Sequence, residues 1–194
     1  MPRTPEANDK IRRAASEKIL KAAMQLFMKK GYHATSIDDV AKEANISKGL
    51  LYNYYEGKEG LLAAMVDLRI EELMTVMNAA ISKVSPAAQI QHLIEGAMDN
   101  VQQQPDVFRF YLHLFTQPMQ DKVLAKYTGK LMAAYDSQFH VQCKMFENLG
   151  VPEPRKRSVH LSSTLQGIML MYSTYPNGYP LEEVKVQVIA DYCQ

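Results

Sequence analysis

Apolar residues recur three and four apart through most of this sequence, and runs that alternate with period two are nearly absent. The pattern predicts an all-α fold of about nine helices, at about 10–30, 36–44, 47–53, 58–83, 86–103, 105–116, 118–148, 154–174 and 181–193. In the first, Ile19, Ala23, Leu26 and Phe27 share one face and Gly31 is the stop signal. Prolines punctuate the rest, at Pro86, Pro105, Pro118, Pro152, Pro154, Pro176 and Pro180. Ser85-Pro86 reads as an N-cap followed by proline at the first helical position.

Residues 35–62, TSIDDVAKEANISKGLLYNYYEGKEGLL, carry the most information. Thr35 or Ser36 can cap the second helix, and Asp38 and Asp39 suit its positive end. Ile37, Val40, Ala41 and Ala44 form its inner face, and Ala41 is small enough for a close helix crossing. Asn45 ends the helix, because asparagine tolerates the left-handed conformation that a tight turn needs. Ile46 follows as a buried plug, Ser47 caps the next helix, and Leu51 and Tyr55 face inward. Two helices joined by a turn of three to four residues make a helix-turn-helix. Ser47, Lys48, Gly49, Leu50, Tyr52 and Asn53 form the outer face of its second helix. In this motif that face enters the DNA major groove. Lys48 can donate to guanine, Asn53 can pair with a base edge or a phosphate, Gly49 allows close approach, and Tyr52 and Tyr54 offer hydroxyls to phosphates. Lys58 opens the fourth helix, where the macrodipole disfavours a cation, and a phosphate docked there would account for it.

The stretch ILKAAMQLFMKKGYHATSIDDVAKEANISKGLLYNYYEGKEGLL, residues 19–62, resembles the DNA-binding domain of the tetracycline-repressor (TetR) family. Phe27, Gly31, Thr35, Ala41, Ser47, Gly49, Tyr52, Tyr54, Tyr55 and Lys58 fill the family's pattern. Asn45 stands where glycine is usual, Leu50 where a small polar residue is common and Asn53 where histidine is common, and the last two lie on the reading face. The resemblance implies that Thr35, Ser36, Tyr54 and Lys58 position the phosphate backbone, and that Ser47, Lys48, Gly49, Leu50, Tyr52 and Asn53 lie in or beside the groove. Arg12 and Arg13 precede the domain, either as an arm that reaches the DNA or as a merely soluble tail. The implied division is a helix-turn-helix domain over 1–60 and a helical effector-binding and dimerisation domain over 61–194.

Met98, Phe108, Phe110, Tyr111, Met132, Tyr135, Phe139, Met145, Met169, Met171 and Tyr172 make the second domain rich in methionine and aromatic residues. Core packing explains any one of them, while as a group they suit a cavity for a mostly apolar small molecule. Met98, Phe110, His113, Tyr135, Phe139 and Met169 are the expected effector contacts, with Gln142 as a further polar candidate. Stripes at Leu161, Leu165, Ile168 and Tyr172 and at Leu181, Val184, Val188 and Tyr192 mark the last two helices. By resemblance these two helices pair with their copies in a homodimer, which suits a palindromic operator in double-stranded DNA. Which stripe serves the monomer core and which the two-fold stays open at this stage.

Charge sharpens the division: residues 1–60 hold 11 Lys and Arg against 8 Asp and Glu, and residues 61–194 hold 11 against 13. Cys143 and Cys193 show no CxxC spacing and fit a reducing cytoplasm, and no apolar run reaches the ~20 residues of a membrane helix. His140 and Cys143 are half of a metal site without a second half, so no metal and no cofactor are expected. GxSxG, HExxH, P-loop and GxGxxG patterns are absent, so the chain reads as no enzyme. The expected function is a sequence-specific DNA-binding regulator, a repressor released by a small, mostly apolar effector. The alternative is a helical small-molecule carrier whose N-terminal unit makes protein contacts.

Overall fold

A computed structural model describes residues 4–117 and 121–194. Among them the chain is helical and without strands: α1 (Pro5–Lys30), α2 (Ile37–Glu43), α3 (Lys48–Tyr52), α4 (Gly57–Ile81), α5 (Pro86–Gln103), α6 (Pro105–Phe115), α7 (Lys122–Leu149), α8 (Pro154–Thr174) and α9 (Leu181–Tyr192). Two ends depart from the periodicity. α1 begins five residues before the expected start, because Thr4 caps it by accepting from the Ala7 amide (3.3 Å) and Pro5 opens its first turn. Arg12 and Arg13 are therefore helical and exposed, not a loose arm. The expected start of the seventh helix, with Pro118, lies outside the described residues; α7 is capped by Asp121, which accepts from the Val123 and Leu124 amides.

The chain divides into two compact units, Met1–Asp67 and Leu68–Gln194. In the first, α2 packs against α1 and α3, and Ile19, Ala23, Phe27, Val40, Leu51, Leu61 and Val66 are almost fully buried. In the second, α5 lies against α6, α7, α8 and α9. Its core is built on Ile90, Ile94, Met98, Phe146 and Leu161, with Ile168, Leu181, Val188 and Tyr192. Gly150 closes α7 in the left-handed region (φ 82), while the Val151 amide donates to the Phe146 carbonyl at 3.2 Å, a bond that ties off one of the helix's last carbonyls. No helix of the described residues is long and apolar enough to cross a membrane.

Candidate nucleic-acid interface and effector cavity

The interface begins with the turn between α2 and α3. Asn45 sits at φ 50 and its amide donates to the Lys42 carbonyl (3.0 Å), while the Ile46 amide reaches back to Ala41 (3.0 Å). A β-branched residue would pay for this conformation; asparagine adopts it. Ile46 is half-buried, a side wall and not the buried plug expected, because the turn leaves one of its faces in water. Ser47 then caps α3 by accepting from the Leu50 amide at 3.1 Å. Leu51 is fully buried, and the Tyr55 hydroxyl meets Ser16 of α1 at 2.5 Å, with burial pushing the phenol pKa up. These inward anchors fix which face of α3 points out.

Outward lie Ser47, Lys48, Gly49, Leu50, Tyr52 and Asn53, all exposed. Two of them are large: Leu50 is 38% and Tyr52 51% exposed. A Cβ added at Gly49 would meet no atom within 4 Å, so nothing inside the chain requires glycine there. Lys48 is paired with Asp38 of α2 (2.9 Å), which raises its pKa. Tyr54 is half-buried with the Arg12 guanidinium 5.9 Å from its ring centre.

Around this face the expected backbone contacts differ in kind. Ser36 and Asp39 form a capping box: the Asp39 amide donates to the Ser36 hydroxyl (3.1 Å), and the Ser36 amide donates to the Asp39 carboxylate (3.0 Å). Those bonds and Lys30 at 3.3 Å hold the Asp39 carboxyl down at about 2. Ser36 remains at the surface. Thr35 does not: it is 1% exposed, and its hydroxyl donates to the carbonyls of Gly31 (2.8 Å) and Leu26 (3.3 Å). The phosphate role expected of Thr35 is thus corrected to an internal one, stitching the end of α1 to the start of α2. Lys58 donates to the His33 carbonyl (2.9 Å) and stands 4.7 Å from the Tyr32 ring centre, and partial burial lowers its pKa. Lys58 as a residue is half-buried, in the first turn of α4.

The second unit holds a cavity of about 470 Å³. Tyr135, Phe139 and Met169 line it, as does Gln142. Three other expected contacts do not. Met98 is wholly buried in the core beside Ile94 and Phe146. Phe110 is buried edge-on against Tyr111, with ring centres 5.1 Å apart. His113 is exposed, its ring beside the Gln117 amide at 3.1 Å. Helical periodicity tells buried from exposed, but not a packed wall from a hollow one. Among the contacts that sequence reasoning missed are three polar ones on α4 and α5: Arg69, Glu72 and Asn100. Arg69 donates to Glu72 (3.1 Å) and Asn100 (3.3 Å), and its side chain is only 11% exposed. Burial opposes its charge, but Tyr135 and Glu72 outweigh that, so its pKa is raised. A signal existed: Val66, Arg69, Leu73, Val76 and Ala80 keep the three-four spacing of a buried stripe, with a cation in one slot.

Among the described residues no three His, Cys, Asp or Glu side chains gather as metal ligands. His140 is exposed, with Nδ1 at 2.8 Å from the Asp136 carbonyl, and Cys143 is half-buried.

Residues 19–65 match the model of the bacterial regulatory proteins, tetR family. The uncharacterized HTH-type transcriptional regulator YuxN of Bacillus subtilis (strain 168) is 26% identical over 155 residues, covering 79% of this chain and 52% of YuxN. The chain thus spans about half the length of that relative. The HTH-type transcriptional regulator BetI of Vibrio campbellii is 25% identical over 179 residues, 90% of this chain and 87% of BetI. Among solved structures, the transcriptional regulator FadR from Bacillus subtilis in complex with stearoyl-CoA superposes with a TM-score of 0.70 at 15% identity, covering 92% of this chain and 97% of FadR. That likeness is one of fold.

Proposed function

Through its N-terminal domain the chain belongs to the tetR family of bacterial regulatory proteins, and on that premise we propose that it represses transcription as a homodimer on a palindromic operator and is released by a small, mostly apolar effector. α3 enters the major groove. Lys48 exchanges Asp38 for a guanine edge, Asn53 reaches a base edge or a phosphate, and Leu50 and Tyr52 pack against the groove wall. Ser36, Tyr54 and Lys58, with the positive end of α4, hold the phosphate backbone. Lys58 exchanges its contact with the His33 carbonyl for a phosphate oxygen.

The observation that carries this reading is the outer face of α3. It exposes Leu50 and Tyr52 to water and keeps a glycine between Lys48 and Leu50 that no contact within the chain requires. Glycine is a poorer helix former than alanine, and in the first turn of α3 nothing within the chain compensates, so its use there points to something outside the chain that approaches closely.

The effector enters the cavity of the second unit. FadR, a neighbour in fold, is described in complex with stearoyl-CoA, which supports a ligand-binding role for the helical domain. A molecule in the cavity bears on Arg69 and Glu72 of α4, the helix that carries Lys58 in its first turn. The two chains pair through the outward stripes of α8 and α9, where Val159, Leu170, Met171 and Val186 are exposed. The inward stripes, Leu161 and Ile168 with Leu181, Val188 and Tyr192, are spent on the monomer core.

Fluorescence anisotropy tests the reading, with DNA from upstream of the protein's own gene against scrambled DNA at two salt concentrations. Selective binding that weakens steeply with salt is expected. Gly49→Ala should leave thermal stability equal or slightly higher and weaken operator binding. Equal binding of Gly49→Ala and the parent to the operator would remove α3 from the groove.

A further inference from the structure

We propose that the cavity of the second unit selects an amphipathic carboxylate, gripped at its head by the Arg69 guanidinium and along its body by the apolar wall. The inference rests on that cavity being the effector site.

Among the described residues, Arg69 is the only strongly basic side chain lining the cavity. One of its terminal nitrogens, Nη1, is spent on Glu72 and Asn100, and the Tyr135 hydroxyl also stands against the guanidinium. Its Nε–H is buried and has no acceptor. A buried guanidinium donor left unmade is costly, and a carboxylate is the acceptor whose two oxygens match the planar fork of Nε and a terminal nitrogen. Tyr111 backs the guanidinium, its ring centre 5.7 Å from Cζ, which holds the plane of the fork.

The cavity also holds two acids, but neither leaves a buried negative charge unanswered. Glu72 is already paired with Arg69 and its side chain is 41% exposed, so it can turn toward water as a ligand carboxylate arrives. Asp136 has a side chain 72% exposed, close to His140, where water screens it. Among the charged groups of the lining, the one with an unspent buried donor is therefore the Arg69 cation. Much of the remaining wall is apolar, with Leu73, Val76, Leu93, Leu165 and Met169 and the Phe115 and Tyr135 rings 5.8 Å apart, while Gln138, Gln142, Ser162 and Gln166 add neutral polar groups. About 470 Å³ of such space takes the body of a small amphiphile.

Calorimetric titration of the protein with dodecanoate, dodecan-1-ol and dodecyltrimethylammonium, the ions below their micellar concentrations and the alcohol below its solubility, separates the cases. Dodecanoate should bind about tenfold or more tightly than the alcohol, as a charge-assisted pair of hydrogen bonds implies. Arg69→Met should erase that ratio by weakening the acid alone. Arg69→Lys keeps the charge and loses the fork, and its ratio should fall several-fold; this variant decides the matter if Arg69→Met melts early. Equal binding of acid and alcohol, tighter binding of the ammonium, or a ratio unchanged in Arg69→Lys would overturn the proposal while leaving the cavity as an effector site. Failure of all three amphiphiles to bind would overturn the effector-site reading itself, and this proposal with it.

Discussion

Thr35→Val separates a stitch inside the protein from a contact to DNA. Valine matches threonine in shape, so the substitution opens no cavity and removes only the hydroxyl. That hydroxyl donates to Gly31 O at 2.8 Å and Leu26 O at 3.3 Å, and the residue is 1% exposed. The shorter bond is worth about 1 kcal/mol net, and leaving its carbonyl without a partner adds up to about 1 kcal/mol more. The longer bond adds little, since Leu26 O lies within α1, where a helix amide can also reach it. The expected loss is about 1–2 kcal/mol, a fall of roughly 4–8 °C in melting temperature per kcal/mol for a unit of this size. Thermal unfolding followed by circular dichroism reads it. Operator binding is then measured well below the melting temperature over a series of salt concentrations. The slope of log K against log salt should match the parent, because no phosphate contact has gone. An unshifted melting temperature together with a slope reduced by about 0.9, one phosphate's worth, would refute the internal role and return Thr35 to the backbone contacts.

Asn45→Gly should change stability by no more than a few tenths of a kcal/mol, whereas Asn45→Val should cost about 1–2 kcal/mol, because φ 50 crowds a branched Cβ; equal melting temperatures for the two would contradict the left-handed turn. Asp39, lowered from 3.8 to about 2 by the Ser36 amide, the Ser36 hydroxyl and Lys30, stabilises the folded state fully above pH 3.8 and loses that contribution as pH falls toward 2. The melting-temperature gap between the parent and Asp39→Asn should be widest above that range and close below it, and a gap independent of pH would count against the capping box.

Much of this structure could be read from the chain because each helix carries its own punctuation. Ser36, Ser47 and Ser85 cap where their spacing said they would, and Pro86, Pro105 and Pro154 each open a helix. The early start of α1 was legible too, in Thr4-Pro5, but apolar periodicity begins later and hides it. The outer face of α3 followed from its inner one: once Leu51 and Tyr55 are placed inward, Lys48, Leu50 and Tyr52 have nowhere else to go. Thr35 was misread because a threonine before a helix is as good a cap as a serine in sequence, and only three-dimensional closure decides which hydroxyl turns inward. The cavity was legible in composition and not in position. Met98, Phe110, Tyr135 and Phe139 are alike as residue types, and whether such a side chain fills a core or bounds a hollow depends on what stands opposite it.

The inward stripes of α8 and α9 are consumed within one chain, by Leu161, Ile168, Leu181, Val188 and Tyr192 around Phe146. Folding of that unit and association of two copies are therefore chemically separate events. If two copies pair as proposed, a chain diluted away from its partner should keep its hydrophobic centre closed, and protomers should trade between dimers as folded bodies. On the proposed pairing, mixed dimers should form by simple mixing, and substitutions on the outward stripe should tune the lifetime of the pair while leaving the melting of the single chain where it was.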